Sequence, residues 1–430
     1  MSFAYYKDVL PSGLRVITVE TPHLHTAVVT AYVRLGSRHE TPETNGVSHF
    51  LEHMFFRGSQ AYPDSVRMNA AVEDVGGNLN GVTTRDHGYY YTPLHPAHLE
   101  VGVRILGDML TRPLLPNAPD LEVERRIILE EMLDEVDEEG RDIELDNLSK
   151  MALFPAHALS LKIAGTPESV RALTHAQLRE HLLRNYVAGN MVFTAAGRVR
   201  REEVLRLVEE AFSALPKGAP TTEEAPLPPA RGPWLKFVRH DEAQTAFRMN
   251  FLAVPEHHED HAALQILRRV LDDGLSSRLP FHVVEKRGLA YSIQAGLEAF
   301  HDVGVFEVEG ASAPEKAAEV VTEVCRTLAE ICEHGITADE LLRAQRRHRM
   351  FLDFAEDSPG ELAGWFGGTE LFRTPESFEE RSRQVEAQSA ERVREVARKY
   401  LTRERLGVVA VGQKKGLRAL EKAVQEAPLP

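Results

Sequence analysis

His49-Phe50-Leu51-Glu52-His53 sets two imidazoles and a carboxylate at i, i+3 and i+4. On a helix that spacing puts all three on one face. Two neutral imidazoles at i and i+4 can grip one metal ion, and a Glu just before the second can take a proton from water beside it. The order His-x-x-Glu-His inverts the common zinc-protease motif. Around it, Val47, Phe50, Leu51, Met54, Phe55 and Phe56 make a helix over Gly46–Arg57 that is apolar almost all round, so burial is expected. Three ionisable groups on a buried helix need partners. A metal ion would satisfy all three at once; the alternative is a core histidine pair satisfied by backbone and carboxylate.

The rest of the chain narrows the setting. Its 430 residues, 43% hydrophobic and 27% charged, are ordinary for a globular protein of two or more domains. No apolar run is long enough to span a bilayer, and Met1–Asp8 lacks the basic-then-apolar profile of a signal peptide. The expected compartment is cytoplasmic, with no membrane partner. A formal net charge of −15 argues against nucleic acid. Cys325 and Cys332 sit on one face of an apparent helix but about 10 Å apart along it, too far for a disulfide, so buried free thiols are expected.

A Pro-rich stretch without period, Leu215–Trp234, reads as an extended linker. It divides the chain into residues 1–214 and 235–430, and the two halves look alike. Each opens with alternating strands, Leu14–Glu20 and Thr26–Leu35 against Leu235–Arg239 and Thr245–Val254. Each turns helical next, at Gly46–Arg57 and at His258–Asp272. Each closes with helix, strand and helix, and the spacing from Tyr186 to Gly197 nearly matches that from Tyr400 to Gly412. A duplicated unit follows. Hairpin-like strand pairs, such as Tyr291–Phe300 and Val303–Gly310 around His301-Asp302, make each unit α+β, a mostly antiparallel sheet with helices packed on one face.

A hydrolytic zinc site needs a third protein ligand. The best candidate region is Leu121–Glu138, read as a helix after Pro119-Asp120. Ile128, Met132 and Val136 form its apolar stripe; Glu131 and Glu124 lie on the border, about 60° away, while Glu130 lies about 160° away and faces water. Glu131 is therefore the better ligand, with Glu124 behind it, and Glu135 also shares that edge. A merely solvated acidic face would read the same way.

His49–Met54, with Glu124-Arg125-Arg126-Ile127-Ile128-Leu129-Glu130-Glu131-Met132 downstream, resembles the pitrilysin-type (M16, inverzincin) zinc metallopeptidases. Short bacterial members similar to the mitochondrial processing peptidase β-subunit are the nearest subgroup. Further landmarks run along the chain: Gly76–Thr83, with Gly81 where the family has Ala; Ile163–Thr166; Tyr186–Gly197; Gly274–Leu279; and Lys286–Ser292. The resemblance implies one Zn2+ ion held by His49, His53 and Glu131, Glu52 as general base, and Glu124 as a support behind the ligands. It implies two similar α+β domains closing around a chamber. A peptide substrate would add as a strand near Asn80–Thr83, where Asn80 and Thr83 would contact it. Many relatives also bring an Arg and a Tyr seven residues apart from the second half toward the peptide. Tyr291 matches the Tyr, but Val284 stands where the Arg is expected, and Arg287 is displaced by three residues. The implied arrangement is a zinc endopeptidase subunit paired with a paralogous chain that supplies the Arg/Tyr pair, in preference to a self-sufficient homodimer. A non-catalytic scaffold, as some relatives in respiratory complexes have become, is the competing reading.

Overall fold

The computed structural model describes residues 3–115, 118–227 and 231–430. The chain is α+β with two separate sheets. The first sheet contains β1 (Ala4–Val9), β2 (Arg15–Glu20), β3 (Ala27–Val33), β4 (Asn80–Thr83), β5 (Gly88–Leu94) and β6 (Met191–Gly197), in the order β1-β2-β6-β3-β5-β4. The second contains β7 (Trp234–Arg239), β8 (Thr245–Ala253), β9 (Ser292–Ala299), β10 (Gly304–Ser312) and β11 (Leu406–Gly412), in the order β7-β11-β8-β10-β9. Matching β2, β6, β3, β5 and β4 to β7, β11, β8, β10 and β9 reproduces the order. It also reproduces the directions: β2–β6 and β7–β11 are parallel, every other pair antiparallel. The duplication expected from the sequence is therefore a duplicated sheet, with β1 added in the first copy.

The chain forms two compact units, each built from both halves of the sequence. One comprises Met1–Leu133, Leu161–Glu224 and Leu352–Glu376; the other comprises Asp134–Ser160, Ala225–Phe351 and Ser377–Pro430. In the first unit the inward residues of the sheet, among them Val29, Ala31, Phe193 and Tyr90, pack against the helices Val47–Phe55, Leu99–Thr111, His175–Asn185 and Arg201–Ala211. In the second, Phe247, Met249, Phe306 and Val408 pack against His261–Leu271, Ala317–His334 and Ala390–Tyr400. Cys325 and Cys332 are buried free thiols in this second core.

Each sheet also receives a helix from the other half of the sequence on its second face. On the first sheet lies the stretch Pro359–Gly368. A Cβ on Gly367 would collide with Thr194 of β6 and Tyr32 of β3, so only glycine lets the backbone lie this close. Glu370, just beyond, pairs with Lys7 at 2.7 Å and with Arg15. On the second sheet Leu145 and Leu148 of the helix Leu145–Leu153 pack on Val409 and Val411 of β11.

Most element ends fall within a few residues of the sequence reading. The acidic helix does not. It spans Ala118–Glu131 and tightens into a 3-10 turn at Met132–Glu135, rather than running to Glu138. The reason is local: the Asp137 carboxylate accepts the N–H groups of Glu139 and Arg141, both at 2.9 Å, and Gly140 takes a left-handed φ of 75°. This Asx-type turn competes with the helix and ends it. Within the Pro-rich stretch, residues 216–223 are laid onto the first unit. Pro216 and Gly218 carbonyls accept from Ala188 and Gly189, and Glu223 is held by Arg34 and His39, both at 2.7 Å.

Candidate metal centre

The helix Val47–Phe55 buries Val47, Phe50, Leu51, Met54 and Phe55 completely, which fixes its rotation about its own axis. The remaining face carries His49, Glu52 and His53, and both imidazoles keep 17% of their surface exposed. Their rings stand 4.6 Å apart, edge to face. The acidic helix packs beside it through Leu121 and Ile128, and Glu131 is its last α-helical residue. Glu131 Oε2 lies 3.5 Å from His53 Nε2 and 4.0 Å from His49 Nε2. One ligand atom from each of the three residues falls within 4.8 Å of the others. Ligand atoms on a tetrahedral zinc ion stand about 3.4 Å apart, so the cluster has the right size for one.

Glu124 is buried behind His53. Its Oε2 is 3.0 Å from His53 Nδ1, and its Oε1 accepts from Arg57 Nε. The ionised carboxylate can only accept, so a neutral His53 would carry its proton on Nδ1 and turn the lone pair on Nε2 toward the cluster. That tautomer is what a cation needs. Burial opposes charge on His53, but the hydrogen bond to Glu124, with the charges of Glu131, Glu124 and Glu52, outweighs it and raises the pKa. Burial would raise Glu124 too, but His53 and Arg57 hold it below the usual carboxylate range. His49 is kept neutral, its pKa pushed down to about 3 by burial and by His53. A neutral imidazole is ready to ligate.

Glu52 is also largely buried, and burial raises its pKa above the ordinary value despite the Thr83 hydroxyl that donates to Oε2. Thr83 belongs to β4, the strand that ends the first sheet and, among the described residues, has one edge without a strand partner there. The pleat decides which β4 residues meet Glu52. Gly81 and Thr83 face it; a Cβ on Gly81 would come within 3.1 Å of the Glu52 side chain and 2.9 Å of Phe56. Asn80 and Val82 point to the opposite side. There Asn80 is paired across the sheet with Tyr91 and donates to the Asn78 carbonyl at 3.3 Å. Thr83 is thus gathered with Glu52 and Asn80 is not.

In the second unit Tyr291, just before β9, is 91% exposed. Val284 is half-buried against the core in the π-helical segment Pro280–Glu285. Arg287 is engaged by Glu323 at 2.5 Å and by Glu319. The displaced arginine is therefore committed to a local ion-pair network. The sequence reading did not single out Arg57, which anchors Glu124. The signal for it was its place one helical turn after His53, beside an acidic helix.

Residues 15–166 match the family model described as Insulinase (Peptidase family M16), and residues 172–347 match Peptidase M16 inactive domain. A protein of Mycobacterium tuberculosis named an uncharacterized zinc protease is 34% identical over 425 residues, covering 96% of this chain and 94% of that protein. The mitochondrial-processing peptidase subunit beta of Blastocladiella emersonii is 40% identical over 211 residues, covering 49% of this chain and 44% of that protein. Among solved structures, a protease from Helicobacter pylori has the same fold, with a TM-score of 0.87 at 19% identity over 96% of this chain and 100% of that one. Among the described residues, no helix is long and apolar enough to cross a membrane. With both family models matched in order and a relative aligned along nearly its whole length, the chain belongs to peptidase family M16.

Proposed function

We propose that the chain is a zinc-dependent endopeptidase whose single metal ion is held by His49, His53 and Glu131 and whose general base is Glu52. The observation that carries this is the geometry at His53: Nδ1 lies 3.0 Å from the buried Glu124 carboxylate, while Nε2 faces Glu131 and His49. When bound, the zinc ion would supply Lewis-acid polarisation of the scissile carbonyl and lower the pKa of water. Glu52, its pKa raised by burial, is suited to take a proton from that water and pass it to the leaving amine. Thr83 holds one Glu52 oxygen by its hydroxyl and so orients the carboxylate. An extended peptide would add beside the free edge of β4, with Gly81 leaving room over Glu52. Asn80 would then touch the peptide from the other face of the strand, and Tyr291 would contribute from the second domain.

The domains proposed are residues 1–214, catalytic, and 235–430, homologous to it, joined by 215–234. Val284 in place of an arginine favours a heterodimer with a paralogous subunit over a homodimer, and one relative bears the name of a subunit. A scaffold role has less support, because nothing in it calls for His49, Glu52, His53 and Glu131 together. The test is cleavage of a fluorogenic, unfolded basic peptide by the purified chain, alone and mixed with paralogous chains from the same source. Cleavage that a chelator abolishes and zinc restores, strongest in the mixture, supports the reading. Full activity from the chain alone contradicts the heterodimer; no cleavage under either condition contradicts the enzyme.

A further inference from the structure

The motif helix starts on a residue that cannot cap it. Gly46 occupies the N-cap position at φ 91°, with no side chain to accept the orphan N–H groups of the first turn. No larger residue fits: a Cβ on Gly46 would lie 2.6 Å from the Ala164 carbonyl oxygen, and one on Gly165 (φ 87°) would lie 2.6 Å from that of Asn45. The two glycines let the chain segments pass in close contact, and that contact excludes a self-capping side chain.

The cap comes instead from Glu40. Its side chain is 7% exposed. Oε1 accepts the Ser48 N–H at 2.8 Å; Oε2 accepts the Gly46 N–H at 2.7 Å and Asn45 Nδ2 at 2.9 Å. Asn45 Nδ2 in turn donates to the Lys162 carbonyl at 2.8 Å. The donors to Glu40, which are the Ser48 and Gly46 amides and the side chains of Asn45 and Ser48, are neutral; burial raises its pKa to about 7, and the positive end of the helix is its electrostatic partner. His49 is the third residue of the helix, next to the Ser48 amide that Glu40 holds; His53 lies a turn further in. Loosening the first turn would move His49 before it moved His53.

We propose that Glu40 is a positioning residue for the metal centre: its buried carboxylate supplies the cap that Gly46 cannot, and so keeps His49 in register with His53 and Glu131. This rests on the reading of those three residues as zinc ligands. The test compares the full-length chain with Glu40→Gln and, as a control at an exposed neighbour, Glu43→Gln. Zinc affinity is measured by competition with a chromophoric chelator, and amide exchange is followed over Gly46–Phe50. Gln keeps one acceptor oxygen but presents an NH2 group to donors, so Glu40→Gln is expected to bind zinc about 10-fold more weakly. Exchange at Gly46–Phe50 should speed up while Leu99–Thr111 is unchanged, and Glu43→Gln should match wild type. If Glu40→Gln does not fold, Asn45→Ala, which removes one donor to Oε2, should show a smaller weakening of zinc binding in the same direction. Zinc affinity unchanged in the folded variant, with wild type binding zinc, overturns the role of Glu40 alone. A wild type that binds no zinc overturns the ligand assignment itself, whatever the exchange rates.

Discussion

The two sheets carry corresponding helices with opposite chemistry. Val47–Phe55 follows β3 and precedes β4; His261–Leu271 follows β8 and precedes β9, the matching strands. Counted from the start of each helix, the third, sixth and seventh residues are His49, Glu52 and His53 in the first unit and Ala263, Ile266 and Leu267 in the second. The second set is completely buried, while the first keeps a partly open face. The scaffold therefore tolerates either a packed core position or a polar site there. What the first unit adds around its polar face is a shell: an acidic helix end at Glu131, Glu124 pinned by Arg57, and a strand edge at Thr83. The closing tyrosines diverge in the same way. Tyr186 shares a hydrogen bond with Tyr90 at 2.7 Å, whereas Tyr400 donates to the buried Asp260 at 2.6 Å.

Substitutions that make one unit imitate the other break this contrast most sharply. His53→Leu gives the first helix the residue that its counterpart has at Leu267. It should abolish zinc binding and lower peptide cleavage by at least about 10³-fold, read by metal titration and fluorogenic assay. Retained zinc at full stoichiometry would contradict the ligand assignment. Leu267→Ala should leave zinc stoichiometry untouched but destabilise the protein by about 2–5 kcal/mol in denaturant unfolding, since this position is pure packing. Glu124→Gln keeps the shape of the support but not its charge, and should weaken zinc binding by about 10–100-fold in chelator competition.

The smallest test concerns acid. Each unit holds a histidine kept neutral by its surroundings, half-buried at His181 and buried at His348. His181 is pushed down to about 4 by burial, with His39 and Arg184 adding, and His348 is pushed down to about 4 by burial, with Arg269, Arg381 and Arg268 adding. A histidine whose folded pKa is depressed contributes stability above its ordinary pKa of 6.5, and that contribution is lost as the pH falls toward 4. His181 has a partner in Ser48 Oγ at 3.0 Å; neither ring nitrogen of His348 has a hydrogen-bond partner among the described residues. His348→Gln should therefore flatten the fall in stability between pH 6.5 and 4, by up to one proton, about 1.4 kcal/mol per pH unit. An unchanged slope in pH-dependent denaturant melts would rule out a titrating His348.

Much of the first unit's site was legible because it obeys helical periodicity. The i, i+3, i+4 pattern put His49, Glu52 and His53 together, and the border of an apolar stripe picked out Glu131 and Glu124 over Glu130. The sheet duplication was legible from repeated strand–helix order. Other features follow from contacts that leave no period in the chain. Glu40 acts through hydrogen bonds to the start of the motif helix, and Arg57 through one to Glu124 of the acidic helix. The exchanged helices show apolar faces in sequence, but a face does not name what covers it. The family resemblance groups Asn80 with Thr83, yet they are an odd number of residues apart in a strand, and the pleat sends them to opposite sides. The acidic helix ended early because Asp137 and Gly140 formed a turn inside a run of good helix formers.

The claim that one unit carries a complete hydrolytic centre is tested most directly by metal analysis and peptide cleavage on wild type and Glu52→Gln in parallel. About one zinc ion per chain in both proteins is expected, with cleavage by wild type, alone or with its partner subunit, and a loss of at least about 10²-fold in the variant. A wild type without zinc, or a variant that cleaves as well as wild type, would contradict it.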